Sequence, residues 1–207
     1  LVHYYLNTKF FSELGYYDLY PAAILADHEN NGPYFREGPQ YLAQDDDGHG
    51  VKPIAHALQR GAWVKANVFT EDRWAQFEHD LLYLQRDTGG FTSTLWRRMI
   101  QDHGYNGTPA WTSVGRPLTR VIPVEWVKYL CHIDLALVLA AAGVTAWAFG
   151  WNAACWFWIF LMVSYSTRWP VITWSYLRYD YITALVIGMG LVKRGHYFLS
   201  GLFTGYA

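Results

Sequence analysis

The sequence predicts a mainly α-helical integral membrane protein with about three to four transmembrane helices and a helical extracytoplasmic segment. Three observations carry that expectation. From Tyr129 the stretch "YLCHIDLALVLAAAGVTAWAFGW" is almost wholly apolar, close to the roughly 20 residues that cross a bilayer core of about 30 Å. Aromatic residues make up 18% of the chain, with 11 Trp and 16 Tyr, while charged residues reach only 16%, against about 25% in a soluble globular protein. Period-2 alternation is hard to find over more than a few positions of the first 128 residues, so short helices joined by loops are expected there rather than a sheet.

Two segments follow from the change of texture: residues 1–128, an extracytoplasmic segment of short amphipathic helices and loops, and residues 129–207, the membrane helices. The formal charge of −1 divides unevenly between them, with 12 Lys/Arg against 15 Asp/Glu in the first and 4 against 2 in the second. Neither half has a basic face suited to nucleic acid. Cys131 and Cys155 both lie in apolar stretches and read as packing thiols rather than a disulfide framework.

Within the first segment, "TEDRWAQFEHDLLYLQR" is the clearest element. Thr70 can cap it, Glu71 and Asp72 suit its first turn, and Trp74, Phe77, Leu81 and Leu84 fall on one face, so a helix over 70–86 is expected. "STLWRRMIQDHGYN" reads as a second helix with Ser93 as cap and Gly104 as stop. The stretch from residue 27 towards 68, beginning "DHENNGPYFREGPQYLAQDDDGHGVKP", is rich in Gly, Pro and acid and reads as loop.

Membrane helices are expected at about 129–149, 153–167, 177–193 and, incomplete, 196–207. The second is short, and Pro170 disfavours its straight continuation. With three alternating spans, residues 1–128, Arg168 and Arg178 fall on one side and Lys193–Arg194 on the other. The Trp/Tyr-rich first segment is placed outside and the Lys–Arg pair in the cytoplasm, by the preference of basic residues for cytoplasmic loops. A bacterial inner membrane is the expected location. The chain also reads as an internal piece of a larger polytopic protein, starting just after a helix that would precede Leu1.

The order of pieces resembles the polytopic membrane glycosyltransferases of the C class (GT-C type), which use a polyprenyl-phosphate sugar donor. "HYYLNTKFFSELGYYDLYPA" is similar to the tyrosine-rich helix and "G…LY" element that open the first outer loop of the mannosyl- and arabinosyl-type members. "YNGTPAWTSVGRPLTRVIP" resembles the element that closes that loop and leads into the next membrane helix. "LRYDYITALVIGMGLVKRGHYFLSGLFTGYA" looks like the later helix pair. The resemblance covers about half of the chain, and some 80 residues between Tyr20 and Tyr105 have no counterpart. It implies a catalytic carboxylate near the start of the outer loop. That position falls upstream of Leu1, or its role passes to Asp18, Asp27 or Glu29. A carboxylate acting as base on an acceptor hydroxyl fits such a transfer. The departing lipid phosphate would need Arg, Lys or a divalent metal.

Each candidate group has two readings. Asp45, Asp47 and His49 in "QDDDGHG" have the alternation of a calcium loop and equally that of a solvated acidic turn. Asp27, His28 and Glu29 are neighbours in sequence, which seldom converge on one ion. Asp102, His103 and Asn106 border a helix stop beside Pro109, where a polar loop could bind substrate or merely cap. In the membrane half, His132 and Asp134 lie in the first span and Arg178 and Asp180 at the start of the third; ionisable residues there find partners or a function. Arg178 is expected to bind an anionic ligand or to bridge to Asp134, and a lone His132 could ligate a metal.

Two functions of different class follow. The first is a membrane glycosyltransferase, or a relative of one, transferring a sugar from a lipid-phosphate donor on the extracytoplasmic face. The alternative is a non-catalytic membrane subunit packing against a larger complex through its aromatic surface. The bilayer is a partner in both, the lipid-linked donor in the first and other membrane subunits in the second.

Overall fold

The computed structural model describes residues 2–32, 40–45, 48–87, 98–102, 104–164 and 176–207. These are mainly helical and divide into two compact units, Val2–Glu125 and Trp126–Ala207.

In the first unit, α1 (Val2–Lys9), a short α2 (Phe11–Leu14) and α3 (Leu19–Glu29) open the chain. A hairpin of β1 (Gln40–Asp45) and β2 (Gly48–Pro53) comes next, then α4 (Ile54–Asn67), α5 (Glu71–Asp87) and α6 (Pro109–Val121). Every residue of α3 from Leu19 to Asp27 is buried, as expected of a helix with neighbours on all sides. One neighbour is α4, which presents Ala57, Gly61 and Val64 as its buried stripe. The small residues let the two helices approach closely: a Cβ on Gly61 would stand 2.4 Å from the Pro21 carbonyl oxygen. α5 buries Trp74, Phe77, Leu81 and Leu84, and Phe10 meets Phe77 edge-on at 5.2 Å. This is the helix expected at 70–86, with its apolar face turned into the core.

The loop expected between residues 27 and 68 is corrected. α3 runs to Glu29, α4 occupies Ile54–Asn67, and β1 pairs with β2 antiparallel from Gln40↔Pro53 to Asp45↔Gly48. The hairpin is polar and glycine-rich, so it carries no alternation to detect. Its support comes from elsewhere in the unit: the Leu42 amide donates to the Ile100 carbonyl at 2.8 Å, and Tyr41 is buried with its hydroxyl 2.9 Å from His56 Nδ1. The helix expected to start at Ser93 falls largely outside the described residues, as do Asp47, His103, Arg168 and Pro170. Nothing is described of the Asp45 and His49 side chains.

In the second unit, α7 (Cys131–Phe149), α8 (Trp151–Val163), α9 (Asp180–Lys193) and α10 (Tyr197–Tyr206) follow one another. Together with the 3-10 turn before it, α7 forms a stretch, Val124–Phe149, that is long and apolar enough to cross a membrane. Among the described residues α8, α9 and α10 are shorter, at 13, 14 and 10 residues. The outward surface is apolar, with Leu139, Trp156, Phe160 and Phe198 all more than half exposed. Between helices the bonds are polar: Thr183 Oγ1 donates to the Leu137 carbonyl at 3.1 Å and Ser200 Oγ to that of Gly188 at 2.8 Å.

Candidate functional site

The first unit gathers one surface that is both aromatic and rich in hydrogen-bonding groups, where Asp102 and the chain from Gly104 to Thr112 lie beside α1. Thr108 caps α6, its Oγ1 accepting from the Trp111 amide at 3.1 Å, and Pro109 supplies the pre-set first position. The cap fixes the preceding turn. Asn106 Oδ1 accepts a 2.5 Å hydrogen bond from the Tyr4 hydroxyl. The Tyr4 ring stands edge-on to Trp111 at 4.9 Å and to Tyr105 at 5.9 Å. Tyr105 is buried; its hydroxyl sits 2.6 Å from Thr112 Oγ1 and accepts from Thr8 Oγ1 at 3.5 Å. Burial pushes the Tyr105 phenol above its ordinary range. Gly107 is required here, since a Cβ would come within 2.4 Å of the Tyr105 hydroxyl.

At the other end of this surface the Tyr20 hydroxyl lies 2.9 Å from His3 Nε2, with the two rings edge-on at 5.5 Å. The Gly104 main chain approaches the same Tyr20 hydroxyl, and the exposed Asp102 acts electrostatically on both Tyr20 and His3. Burial holds the His3 imidazole down at about 4 and keeps the Tyr20 phenol protonated. His3 is therefore neutral at physiological pH. Of the substrate-binding candidates, Asp102 and Asn106 belong to this surface. His3, Tyr4 and Tyr20 were not among the sequence candidates, because their contacts join positions about a hundred residues apart or depend on the tertiary packing of α1 against α3.

The three carboxylates considered for catalysis do not converge. Asp18 lies just before α3 and takes a two-pronged contact from Arg60, at 2.7 and 2.9 Å. Asp27 is fully buried, with Oδ1 accepting from Gln85 Nε2 at 3.0 Å. Glu29 is on the outer side of the helix end, paired with Lys65 at 2.7 Å. Each of these contacts joins α3 to a neighbouring helix, and Asp18 and Glu29 stand roughly 16 Å apart along it at 1.5 Å per residue.

In the second unit, Asp134 is fully buried, and its Oδ1 accepts from the main-chain amides of Arg178 at 2.6 Å and Tyr179 at 2.9 Å. The expected side-chain bridge from Arg178 is corrected. Among the described residues its guanidinium, on an exposed residue, makes no ion pair, and the buried carboxylate is met by backbone donors instead. Asp180 opens α9 and accepts from the Tyr206 hydroxyl at 2.6 Å. His132 is exposed, with Nδ1 3.0 Å from the Tyr129 carbonyl. No three His, Cys, Asp or Glu side chains converge as metal ligands among the described residues.

Compared with family models, with curated proteins and with solved structures, the chain matches none.

Proposed function

We propose that the chain is an integral membrane glycosyltransferase, or part of one, that takes a sugar from a lipid-phosphate donor at the extracytoplasmic face. The observation that carries this reading is the surface built by Tyr4, Asp102, Asn106 and Trp111 against α1. A sugar ring offers C–H faces that stack on aromatic side chains and hydroxyls that need directed donors and acceptors, and both are present there. The apolar exposure of α7, α8 and α10 supports a bilayer around the second unit. Within the second unit taken by itself, Arg178, exposed and without an ion pair among the described residues, is a candidate contact for an anionic group.

The test is transfer from polyprenyl-phosphate sugars by membranes carrying the full chain, with Asn106→Ala expected to lower it by about tenfold. Absence of transfer with every donor, alongside stable insertion in the membrane, would remove the enzymatic reading. Topology is checked in a Cys131→Ser/Cys155→Ser background: a cysteine at Gln44 should be labelled from outside and one at Gly195 only after permeabilisation.

A second reading is a non-catalytic membrane subunit. It is favoured by the engagement of Asp18, Asp27 and Glu29 in contacts between helices, and co-purification of a fixed set of membrane partners without transfer activity would support it.

A further inference from the structure

We propose that the end of the second unit where α7 turns into α8 and α9 into α10 binds the headgroup of an anionic phospholipid, with Lys193 and Arg194 meeting its phosphate. The assignment rests on the reading that a bilayer surrounds this unit, and adds which lipid the unit selects and where.

Packing brings the two turns side by side. A Cβ on Gly190 would stand 2.6 Å from Val144 Cγ1 and 3.4 Å from Ala148 Cβ, so the end of α9 lies against the end of α7. Arg194 then crosses to α7, donating from Nη2 to the Trp147 carbonyl, with its guanidinium carbon 5.0 Å from the centre of the Trp147 ring. These contacts hold the guanidinium in place and use one of its five N–H groups.

The sign of the site follows from where the charges are. Asp134 and Asp180 are the only acidic residues from Trp126 onward, and each lies in the first turn of its helix. At 1.5 Å per residue Arg194 stands roughly 20 Å along α9 from Asp180, and Trp147 about as far along α7 from Asp134. That separation exceeds two Debye lengths of about 8 Å at physiological salt. Lys193 and Arg194 are exposed and make no ion pair among the described residues. The helix ends do not alter the sign, because two C-termini and two N-termini meet here and their partial charges oppose one another. Within the second unit this end is therefore a pair of adjacent cations without a counter-charge.

The surface leading to these cations selects a lipid over a soluble anion. Leu185, Met189 and Val192 are exposed at i, i+4 and i+7 of α9, and Lys193 continues the same stripe. Trp151 and Tyr197, also exposed, follow the two turns. An acyl chain can lie along the stripe while its phosphate reaches Lys193 and Arg194, with the aromatic rings at headgroup level. Free phosphate would gain nothing from the stripe. A zwitterionic headgroup carries its own cation beside the phosphate, so a headgroup of net negative charge gains more from this site.

The experiment uses the full chain in dodecyl maltoside micelles carrying equal amounts of phosphatidylglycerol and phosphatidylcholine with the same acyl chains. Native mass spectrometry counts the lipids retained. The parent should prefer phosphatidylglycerol. Lys193→Gln and Arg194→Gln should each lower that preference about fivefold, and the double variant about 25-fold. Trp147→Leu, which removes the ring under the guanidinium, should lower it about threefold. Arg194→Lys keeps the charge and should lose less than Arg194→Gln; should Arg194→Gln unfold, Arg194→Lys and Lys193→Gln carry the test. Lys128→Gln removes another exposed cation of the unit and should leave the preference unchanged. No preference in the parent, a preference kept by the double variant, an equal loss in Lys128→Gln, or displacement of the lipid by inorganic phosphate would overturn the proposal. Transfer from a lipid-phosphate donor by a chain that does not prefer phosphatidylglycerol would overturn this assignment and leave the transferase reading standing. The preference without transfer would do the reverse, and release of the chain from membranes by alkaline carbonate would remove the bilayer reading on which both stand.

Discussion

Asp134 reaches Arg178 through the main chain. Its Oδ1 accepts the Arg178 amide at 2.6 Å and the next amide at 2.9 Å, so a buried carboxylate pins the bend that leads into α9. The bend needs holding: Leu177, just before it, has φ of +50°, a left-handed conformation costing a β-carbon-bearing residue roughly 1–2 kcal/mol. The arrangement fixes the backbone under Arg178 while leaving its side chain exposed.

Asp134→Ala should therefore destabilise the protein by about 2–4 kcal/mol, since two buried amides lose a charged acceptor. Asp134→Asn, which keeps one acceptor oxygen, should cost less. Arg178→Ala should stay within about 0.5 kcal/mol, as is usual for surface changes. Thermal unfolding in detergent compares the three. An Arg178→Ala loss equal to that of Asp134→Ala would restore the side-chain bridge.

A second buried charge pair holds the first unit. Lys9 Nζ lies 2.5 Å from Asp80 Oδ2, with both side chains about 5% exposed or less, and also donates to the Tyr5 hydroxyl at 3.3 Å. The Tyr5 hydroxyl in turn donates to the Ile122 carbonyl at 2.8 Å, so α1, α5 and the end of α6 are tied by one network. Lys9→Met leaves Asp80 buried without its cation and should cost about 3–5 kcal/mol, whereas Lys9→Met/Asp80→Leu should recover most of that loss. Chemical denaturation of the full chain reads both. A double variant no better than the single one would mean that the network, rather than the stranded charge, sets the cost.

How much of this was legible in the sequence depends on the range of the forces involved. α5 is readable because its periodicity and first-turn acids are local: Trp74, Phe77, Leu81 and Leu84 announce a buried face, and all four are buried. α7 is readable from sustained hydropathy, and its start at Cys131 lies close to the expected 129. α4 escaped because its buried stripe is Ala57, Gly61 and Val64, residues too small to signal a core. What makes them a face is the close approach of α3. The hairpin escaped for a related reason, since the Leu42 amide finds its partner at Ile100, far along the chain. At the candidate site, "QDHGYNGTP" drew attention through its polar residues beside a helix stop. Its counterparts Tyr4 and His3 could not be paired with it from spacing alone.

The α3–α4 contact gives a sharp steric prediction. Ala at position 61 suits a helix better than Gly by about 0.5–1 kcal/mol on propensity alone. Its Cβ, however, would stand 2.4 Å from the Pro21 carbonyl oxygen and 3.0 Å from Leu25 Cβ. A carbonyl within a helix cannot turn aside, so the helices must part, and overpacking of this kind costs about 1–3 kcal/mol. Gly61→Ala should be net destabilising by unfolding measurements; a stabilised variant would show that α3 and α4 are not in such close contact.

The last prediction is a pH dependence centred on His3. Its imidazole is lowered from the ordinary 6.5 to about 4, chiefly by burial. Between those two values the unfolded chain binds a proton at this position and the folded chain does not. Stability therefore rises with pH across that window. The contribution is complete above about pH 6.5 and is lost as the pH falls towards 4. Tyr20 takes part, because its hydroxyl lies 2.9 Å from Nε2 and helps to enclose the ring. His3→Asn has no titrating ring, so its stability profile between pH 4 and 6.5 should be flatter than that of the parent, while the two profiles run parallel above pH 7. Unfolding midpoints measured in detergent at a series of pH values make the comparison. An unchanged slope in His3→Asn would mean that His3 titrates as an exposed histidine does, and the buried, neutral ring packed against Tyr20 would go with it.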